Sequence, residues 1–256
     1  NYREHMQRLH RWIRGDWQIT QWVVEPRGKD FSAIARYRIV DNLRRSLLPV
    51  AATLAVLFSA FSPSEVAVWS IVVFPALGSG QLVSAMLNIT SRTVDWRSSM
   101  TIFTRFESLV VGIGIALAKT FLLGVFALHN AIVTIDAILR SMWRLFVSKQ
   151  KLLEWQTAYE AAATRNTSVL GFVRFMWRSI IISLFCVYLE FHSGQLGNAL
   201  LWFALWLSAP FFAVLISIER KNSFSFSSKE LLYLRTVAAR TYWFFLDLAT
   251  KEDRWL

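Results

Sequence analysis

Long runs of residues without charge constrain this fold more than any other feature of the sequence. Runs of 19, 26 and 23 residues cover positions 46–64, 66–91 and 196–218, and a shorter apolar segment lies at 179–189. A helix of about 20 mostly apolar residues is long enough to cross a bilayer. The pattern therefore predicts an all-α, polytopic membrane protein with about four transmembrane helices in two hairpins, together with amphipathic helices at the membrane interface.

The distribution of charge predicts which side of the membrane each segment faces. The chain carries 28 Lys and Arg against 17 Asp and Glu, a formal net charge of +11. The basic residues flank the apolar runs, which is typical of a cytoplasmic membrane face and argues against nucleic acid as a partner. The links around Pro63 and Gly194 hold no Lys or Arg. These links are predicted to face away from the cytoplasm, and both ends of the chain to be cytoplasmic.

These patterns divide the chain into five segments. Residues 1–46 are predicted to form cytoplasmic interface helices, 47–91 a transmembrane hairpin, 92–178 cytoplasmic, re-entrant and interfacial helices, 179–218 a second hairpin, and 219–256 a cytoplasmic helix that leads to a further domain. A crossing at 109–135 would put the seven basic residues of 136–178 on the wrong side, which favours a re-entrant or in-plane element there. The chain opens with Asn1 rather than Met, and we expect it to be a piece of a larger polypeptide.

Two details of the apolar segments are also predicted. Pro49 is expected in the first turn of the first span, where a proline costs little. The second detail is a polar stripe on the segment 109–135 and its flanks, within about 80° around an otherwise apolar helix. The stripe consists of Ser108, Gly112, Lys119, Asn130 and Thr134.

A basic and aromatic string, RLHRWIRGDWQ, occupies positions 8–18. On a helix Arg8 and Arg11 point toward the same side, and Trp12 follows one turn after Arg8. Guanidinium groups can bind phosphate oxygens bidentately, and a flat indole can pack on the apolar face of a sugar ring. The string therefore indicates a site for a diphosphate and a sugar. Composition alone favours the other interpretation, a juxtamembrane helix that lies among lipid headgroups.

Several common catalytic and cofactor motifs are absent from the sequence. The four histidines are scattered, and neither Cys-x-x-Cys nor His-x-x-x-His occurs. There is no P-loop and no GxSxG nucleophile motif. Glu4 and Asp16 are the only carboxylates near the string at 8–18. We therefore expect neither a metal site nor a catalytic acid–base pair in this chain.

The string at 8–18 resembles the [Q/R]xxRW element of membrane-embedded processive glycosyltransferases such as cellulose synthase. In its longer form, HRWIRGDWQ, it is similar to the cyclic β-1,2-glucan synthases of glycosyltransferase family 84. Three later stretches resemble the same family in the expected order: DNLRRSLLP at 41–49, SKQKLLEWQTA at 148–158 and RTYWFFLDLATKEDRWL at 240–256. Arg8, preceded by Gln7, stands where many cellulose-type enzymes have Gln, which leaves open which side chain contacts the donor.

The resemblance implies the membrane-embedded C-terminal part of the glycosyltransferase domain of such a synthase, multi-pass in the bacterial inner membrane. The whole enzyme would use UDP-glucose and a divalent metal, Mg or Mn. Its acidic motifs would precede this chain and its carbohydrate-active domains would follow it, and the fragment is not expected to be active alone. The implied partners are UDP-glucose, the growing glucan, membrane lipids and the rest of the polypeptide. The implied substrate-binding residues are Arg8, His10, Arg11, Trp12, Arg14, Asp16 and Trp17.

Two alternatives stay open. A cellulose- or hyaluronan-type synthase shares Arg11 and Trp12 but lacks the SKQKLLEW and TKEDRWL stretches. A non-catalytic transporter or scaffold module would need only the apolar runs. Acidic donor-binding motifs upstream and a long carbohydrate-active region downstream would favour the synthase over the transporter.

Overall fold

The computed structural model describes residues 1–24, 32–60, 66–94, 102–151, 168–193, 199–218 and 226–248. Every regular element within these ranges is a helix. The predicted all-α, polytopic membrane fold is thereby confirmed. Some predicted features lie outside the described residues, namely the turns near Pro63 and Gly194, most of the stretch 148–158 and the end of the stretch 240–256.

The helices form two units, Asn1–Ile218 and Glu219–Leu256, which are described separately. In the first unit a π-helical turn, Arg144–Ser148, follows the sixth helix. The helices of this unit are α1 (Tyr2–Gln18), α2 (Gln21–Val24), α3 (Ala33–Ser59), α4 (Val66–Val94), α5 (Ile102–Val125), α6 (Ala127–Trp143), α7 (Val169–Phe175), α8 (Trp177–His192) and α9 (Leu200–Ser217).

Short polar side chains begin several of these helices. The side chain of Asn1 accepts a hydrogen bond from the N–H of Arg3 at 3.1 Å at the start of α1. Ser32 caps α3 in the same way. Such caps satisfy backbone N–H groups that have no partner within the helix, and each typically contributes about 1 kcal/mol. The sequence therefore places the start of α1 just before the string at 8–18.

Two described helices are long and apolar enough to cross a membrane, Val66–Leu87 within α4 and Leu200–Ser217. Two further pairs are bent: Leu109–Val125 with Ala127–Ser148 by 63°, and Val169–Phe175 with Trp177–His192 by 76°. If each bent pair is one span, the described residues contain up to four candidate spans. The first bent pair covers the segment 109–135, and its re-entrant or in-plane position stays a prediction.

Helix α3 differs from the predicted arrangement at Pro49. The helix runs without interruption from Ala33 to Ser59, and Pro49 lies in its interior rather than in a first turn. Proline has no N–H to donate to the carbonyl one turn earlier, which weakens the helix at this point. The turn before it is reinforced because Arg44 and Arg45 both form ion pairs with Asp41. Hydrogen bonds from Arg44 and Arg45 hold the pKa of Asp41 below its ordinary value.

The predicted polar stripe is wrong because the helix that would carry it is broken. Helix α5 ends at Val125, α6 begins at Ala127, and the chain bends by 63° between them. The spacing of 100° per residue holds only within one continuous helix. Lys119 is exposed on α5, whereas Thr134 is fully buried on α6. These two residues therefore share no helix face.

Two hydrophobic clusters form the core of the first unit. In the larger cluster, Trp202 of α9 packs among residues of α3, α4 and α6. In the second cluster, Tyr2 and Met6 of α1 pack with Phe126 and Met176. Phe126 lies at the break between α5 and α6, and Met176 lies at the break between α7 and α8. Helix α1 is thus packed against the two breaks of the bent pairs.

The second unit contains one described helix, α10 (Ser228–Leu248). It begins with a capping box, in which Glu230 Oε2 accepts hydrogen bonds from the N–H and the hydroxyl of Ser227, both at 2.8 Å. These bonds lower the pKa of Glu230, because they stabilise its charged form. Every described side chain of this helix is exposed.

Candidate anion-binding site

The N-terminal end of α1 is anchored by Tyr2. The Tyr2 ring stacks on Phe126 with 4.2 Å between the ring centroids, and its backbone N–H donates to Ser217 Oγ at 3.0 Å. Burial raises the pKa of the Tyr2 phenol well above its ordinary value, which keeps the hydroxyl protonated. The hydroxyl donates to Asn130 Oδ1 at 3.3 Å. These contacts tie the start of α1 to α6 and α9.

The C-terminal end of α1 is attached to α3 by two of the predicted site residues. Trp17 Nε1 donates a hydrogen bond to Ser46 Oγ at 3.0 Å. Asp16 accepts a longer bond of 3.4 Å from Asn42 Nδ2. Burial raises the pKa of Asp16, and the bond from Asn42 opposes that shift. In the structure Asp16 and Trp17 therefore position the helix that carries the string.

The middle of α1 packs on α6 through small residues. Ala137 and Ser141 of α6 are fully buried, and Ser141 Oγ donates to the backbone carbonyl of Arg14 at 3.2 Å. Small residues allow two helix backbones to approach closely. Asp136, Arg140 and the first residue of the π-helical turn, Arg144, follow at intervals of four and therefore share the neighbouring face.

An open cavity of about 410 Å³ lies between α1 and α6. Its apolar lining comes from Met6, Val133 and Phe175. Four arginines and one aspartate line it, which gives a formal charge of +3 with neutral histidine. A concave surface with this charge attracts anions. The polar lining consists of Gln7, His10, Arg11, Arg14, Asp136, Arg140 and Arg144.

A hydrogen-bond network joins the two walls of this cavity. Asp136 Oδ2 accepts from His10 Nε2 at 3.0 Å and from Arg140 Nε at 2.7 Å. Burial lowers the pKa of His10, nearby Arg14 and Arg140 lower it further, and the bond to Asp136 opposes the shift. His10 is therefore neutral near pH 7. Because a carboxylate can only accept, the proton on the neutral ring lies on Nε2.

Arg8 and Trp12 do not line this cavity. The Arg8 guanidinium lies 5.4 Å from the centre of the Trp12 ring, and 59% of Trp12 is exposed. At 3.6 residues per turn, Trp12 and Arg14 lie about 160° apart around α1. Of the seven predicted substrate-binding residues, the structure therefore brings together His10, Arg11 and Arg14 around this cavity, whereas Arg8 and Trp12 lie outside it.

The side chains that commonly bind metals are scattered in the described part of the chain. Within it there is no cluster of three or more His, Cys, Asp or Glu side chains that could hold an ion. The expectation that Mg or Mn is bound elsewhere in the full enzyme stays a prediction.

Sequence reasoning did not assign Asp136, Arg140 and Arg144 to the site. All three lie in the segment 92–178, which the sequence predicts to be cytoplasmic, re-entrant and interfacial. The spacing of four residues does indicate that Asp136, Arg140 and Arg144 lie on one side of a helix. What a single sequence does not indicate is that this side faces α1, more than 120 residues earlier in the chain.

No protein-family model matches the chain. Over its whole length it is 30% identical to part of the cyclic beta-(1,2)-glucan synthase NdvB of Rhizobium meliloti (strain 1021), in an alignment of 261 residues. The chain spans 9% of the length of that relative. The resemblance indicated by the string at 8–18 and the three later stretches is thereby confirmed: the chain is related from end to end to one segment of a cyclic β-1,2-glucan synthase.

Proposed function

We propose that this chain is the membrane-embedded part of a glycosyltransferase that transfers glucose from UDP-glucose to a growing β-1,2-glucan. The whole-length similarity to a glucan synthase supports the type of reaction. The observation that supports a diphosphate donor is the position of Arg11 and Arg14. Both side chains line a basic cavity, and both belong to the string that resembles the [Q/R]xxRW element.

Arg11 and Arg14 are proposed to bind the diphosphate of the donor. Negative charge develops on the leaving diphosphate as the bond to glucose breaks. A guanidinium can donate two parallel hydrogen bonds to a phosphate group, which stabilises that charge. A preorganised donor of this kind acts mainly on the transition state and therefore on turnover.

Trp12 is proposed to bind the acceptor sugar. Its indole is mostly exposed, and Arg8 packs on one side of it. An exposed indole fixed by a neighbouring cation is a rigid flat surface on which a sugar ring can pack. Because Trp12 lies outside the cavity that Arg14 lines, it would bind the growing glucan beside the donor site, and the terminal hydroxyl of that glucan would still have to reach the glucose of the donor for transfer.

Other parts of the proposed enzyme lie beyond this chain. A sugar-nucleotide transferase needs a metal at the diphosphate and a carboxylate base for the acceptor hydroxyl. We propose that preceding segments supply both, that the metal is Mg or Mn, and that following domains act on the glucan. The enzyme would lie in the bacterial inner membrane with both ends of this chain in the cytoplasm, in contact with lipids.

The product formed from UDP-glucose tests this proposal. Membranes that contain the full-length enzyme are expected to convert radiolabelled UDP-glucose into a polymer whose linkages, measured by methylation analysis, are β-1,2. A β-1,4-linked product would instead support a cellulose-type synthase. Membranes that form no glucan above the level of enzyme-free membranes would contradict the proposed function.

A further inference from the structure

The α6 side of the cavity carries a charged row that the string at 8–18 does not include. Asp136, Arg140 and Arg144 line the same cavity as Arg11 and Arg14. Arg140 and Arg144 therefore supply half of the four guanidinium groups that surround this space. A diphosphate has phosphate oxygens on two phosphorus atoms, and two arginines from α1 can approach it from one side and Arg140 and Arg144, from α6 and the π-helical turn, from the other.

We propose that Arg140 and Arg144 bind the same phosphate-bearing anion as Arg11 and Arg14, and that Asp136 is the positioning residue that fixes Arg140 and His10 toward it. This inference rests on the proposed function for the identity of the anion as the diphosphate of UDP-glucose. The sequence motif includes only residues of α1, and this inference adds residues of α6 and the π-helical turn to the same site.

The position of Asp136 supports this assignment. A carboxylate in an anion site reduces the positive charge of the site and by itself weakens anion binding. Asp136 nevertheless accepts two hydrogen bonds within the cavity, at 2.7 Å from Arg140 and at 3.0 Å from His10. The bond from Arg140 involves Nε and leaves the two terminal nitrogens to other acceptors. Asp136 thus holds one arginine in a defined orientation and ties α6 to α1.

Arg144 has a different anchor. Its Nη1 donates to the backbone carbonyl of Lys151 at 3.0 Å, just after the π-helical turn. Lys149 and Lys151 both have left-handed backbones, with φ of 52° and 54°. For a residue other than glycine this conformation costs free energy. Two such residues close together therefore need stabilising contacts with their surroundings. The hydrogen bond from Arg144 therefore connects the cavity to Lys151, which follows the π-helical turn.

Two kinds of molecule have the phosphate groups that this site would bind. One is the diphosphate of the sugar nucleotide, and the other is the phosphate of an anionic lipid headgroup. The cavity is open and lies between α1 and α6, and α6 belongs to a bent candidate span, so both anions can reach it. Affinity for UDP and retention of anionic lipid are measured separately, and the two sources can therefore be distinguished.

The test uses full-length enzyme purified in detergent and titrated with UDP in a calorimeter. Arg140→Gln and Arg144→Gln, which keep most of the side-chain volume, are each expected to raise the Kd for UDP about tenfold, or about 1.4 kcal/mol. Arg174→Gln is the matched control, because Arg174 is exposed on α7 and does not line the cavity. Its Kd is expected to stay within about twofold of the wild-type value.

The positioning role of Asp136 is tested by a double-mutant cycle. Asp136→Ala is expected to raise the Kd for UDP, and combining it with Arg140→Gln should add little, because the two residues act as one unit. Full additivity of the two changes would contradict the positioning role. Asp136→Asn, which can still accept one hydrogen bond, should recover part of the affinity. An unchanged elution volume and melting temperature separate this effect from misfolding.

The lipid source is tested with the same proteins by native mass spectrometry after incubation with phosphatidylglycerol. Loss of retained phosphatidylglycerol in the Arg140 and Arg144 variants, with an unchanged Kd for UDP, would assign the site to a lipid phosphate. Variants that bind both UDP and phosphatidylglycerol like the wild type would overturn the inference. The proposed function would survive that result, because the wild-type enzyme would still form β-1,2-glucan from UDP-glucose.

Discussion

Replacing Arg11 with alanine in the full-length enzyme is expected to lower glucan synthesis from UDP-glucose about a hundredfold. Arg11 lines the basic cavity and belongs to the string that resembles the [Q/R]xxRW element. Removal of one preorganised donor to charge that develops in a transition state typically costs about 3 kcal/mol. Because that charge is larger in the transition state than in the bound donor, kcat should fall much more than KM rises.

Two further variants define what Arg11 does. Arg11→Lys keeps the charge but cannot donate two parallel hydrogen bonds, so only part of the activity should return. Arg174→Ala removes the same charge from an exposed position outside the cavity and should leave kcat within about twofold of the wild-type value. If Arg11→Ala inserts normally and retains full synthesis, Arg11 is only an interface anchor.

Replacing Gly78 with alanine is expected to destabilise the packing of α4 on α5 by about 2 kcal/mol. A Cβ atom at position 78 would overlap Thr120 Oγ1 and would lie 2.6 Å from Thr120 Cγ2, closer than real Cβ contacts. The helices must then separate or Thr120 must move. The expected readout is a lower temperature of half-inactivation when detergent-solubilised full-length enzyme is heated and then assayed for glucan synthesis.

The chain offers a matched control for this substitution two residues away. A Cβ at Gly80 would meet no atom within 4 Å, so Gly80→Ala should be neutral or stabilise α4 by up to about 1 kcal/mol. Adding Thr120→Ala to Gly78→Ala should recover part of the lost stability, because it removes the two nearest atoms. Equal inactivation temperatures for Gly78→Ala and Gly80→Ala would contradict the close contact between Gly78 of α4 and Thr120 of α5.

The sequence predicts those features that depend on local composition. Uncharged runs about as long as a bilayer is thick indicate membrane helices, and the order of residues within α1 places Arg11 and Arg14 on one side of that helix. The breaks at Phe126 and Met176 carry no such signal, because neither is proline nor glycine. Helix α1 packs against both breaks, and such a contact between distant parts of the chain is a property of the tertiary structure.

The candidate site, too, is only partly predictable from the sequence. The resemblance at 8–18 identifies Arg11 and Trp12 as functional candidates, but it does not indicate that Trp12 lies outside the cavity. The hydrogen bond between His10 and Asp136 joins residues 126 positions apart, and no local pattern indicates it. The resemblance implies that Asp16 and Trp17 bind substrate, whereas in the structure they form hydrogen bonds with Asn42 and Ser46 of α3.

The most direct measurement of the central claim is a cryo-electron microscopy structure of the full-length enzyme with UDP bound. We expect the diphosphate in the cavity between α1 and α6, with phosphate oxygens about 3 Å from guanidinium nitrogens of Arg11 and Arg14. Arg140 and Arg144 should contact the same diphosphate from the other wall. UDP bound elsewhere, with this cavity filled by a lipid headgroup, would contradict the account.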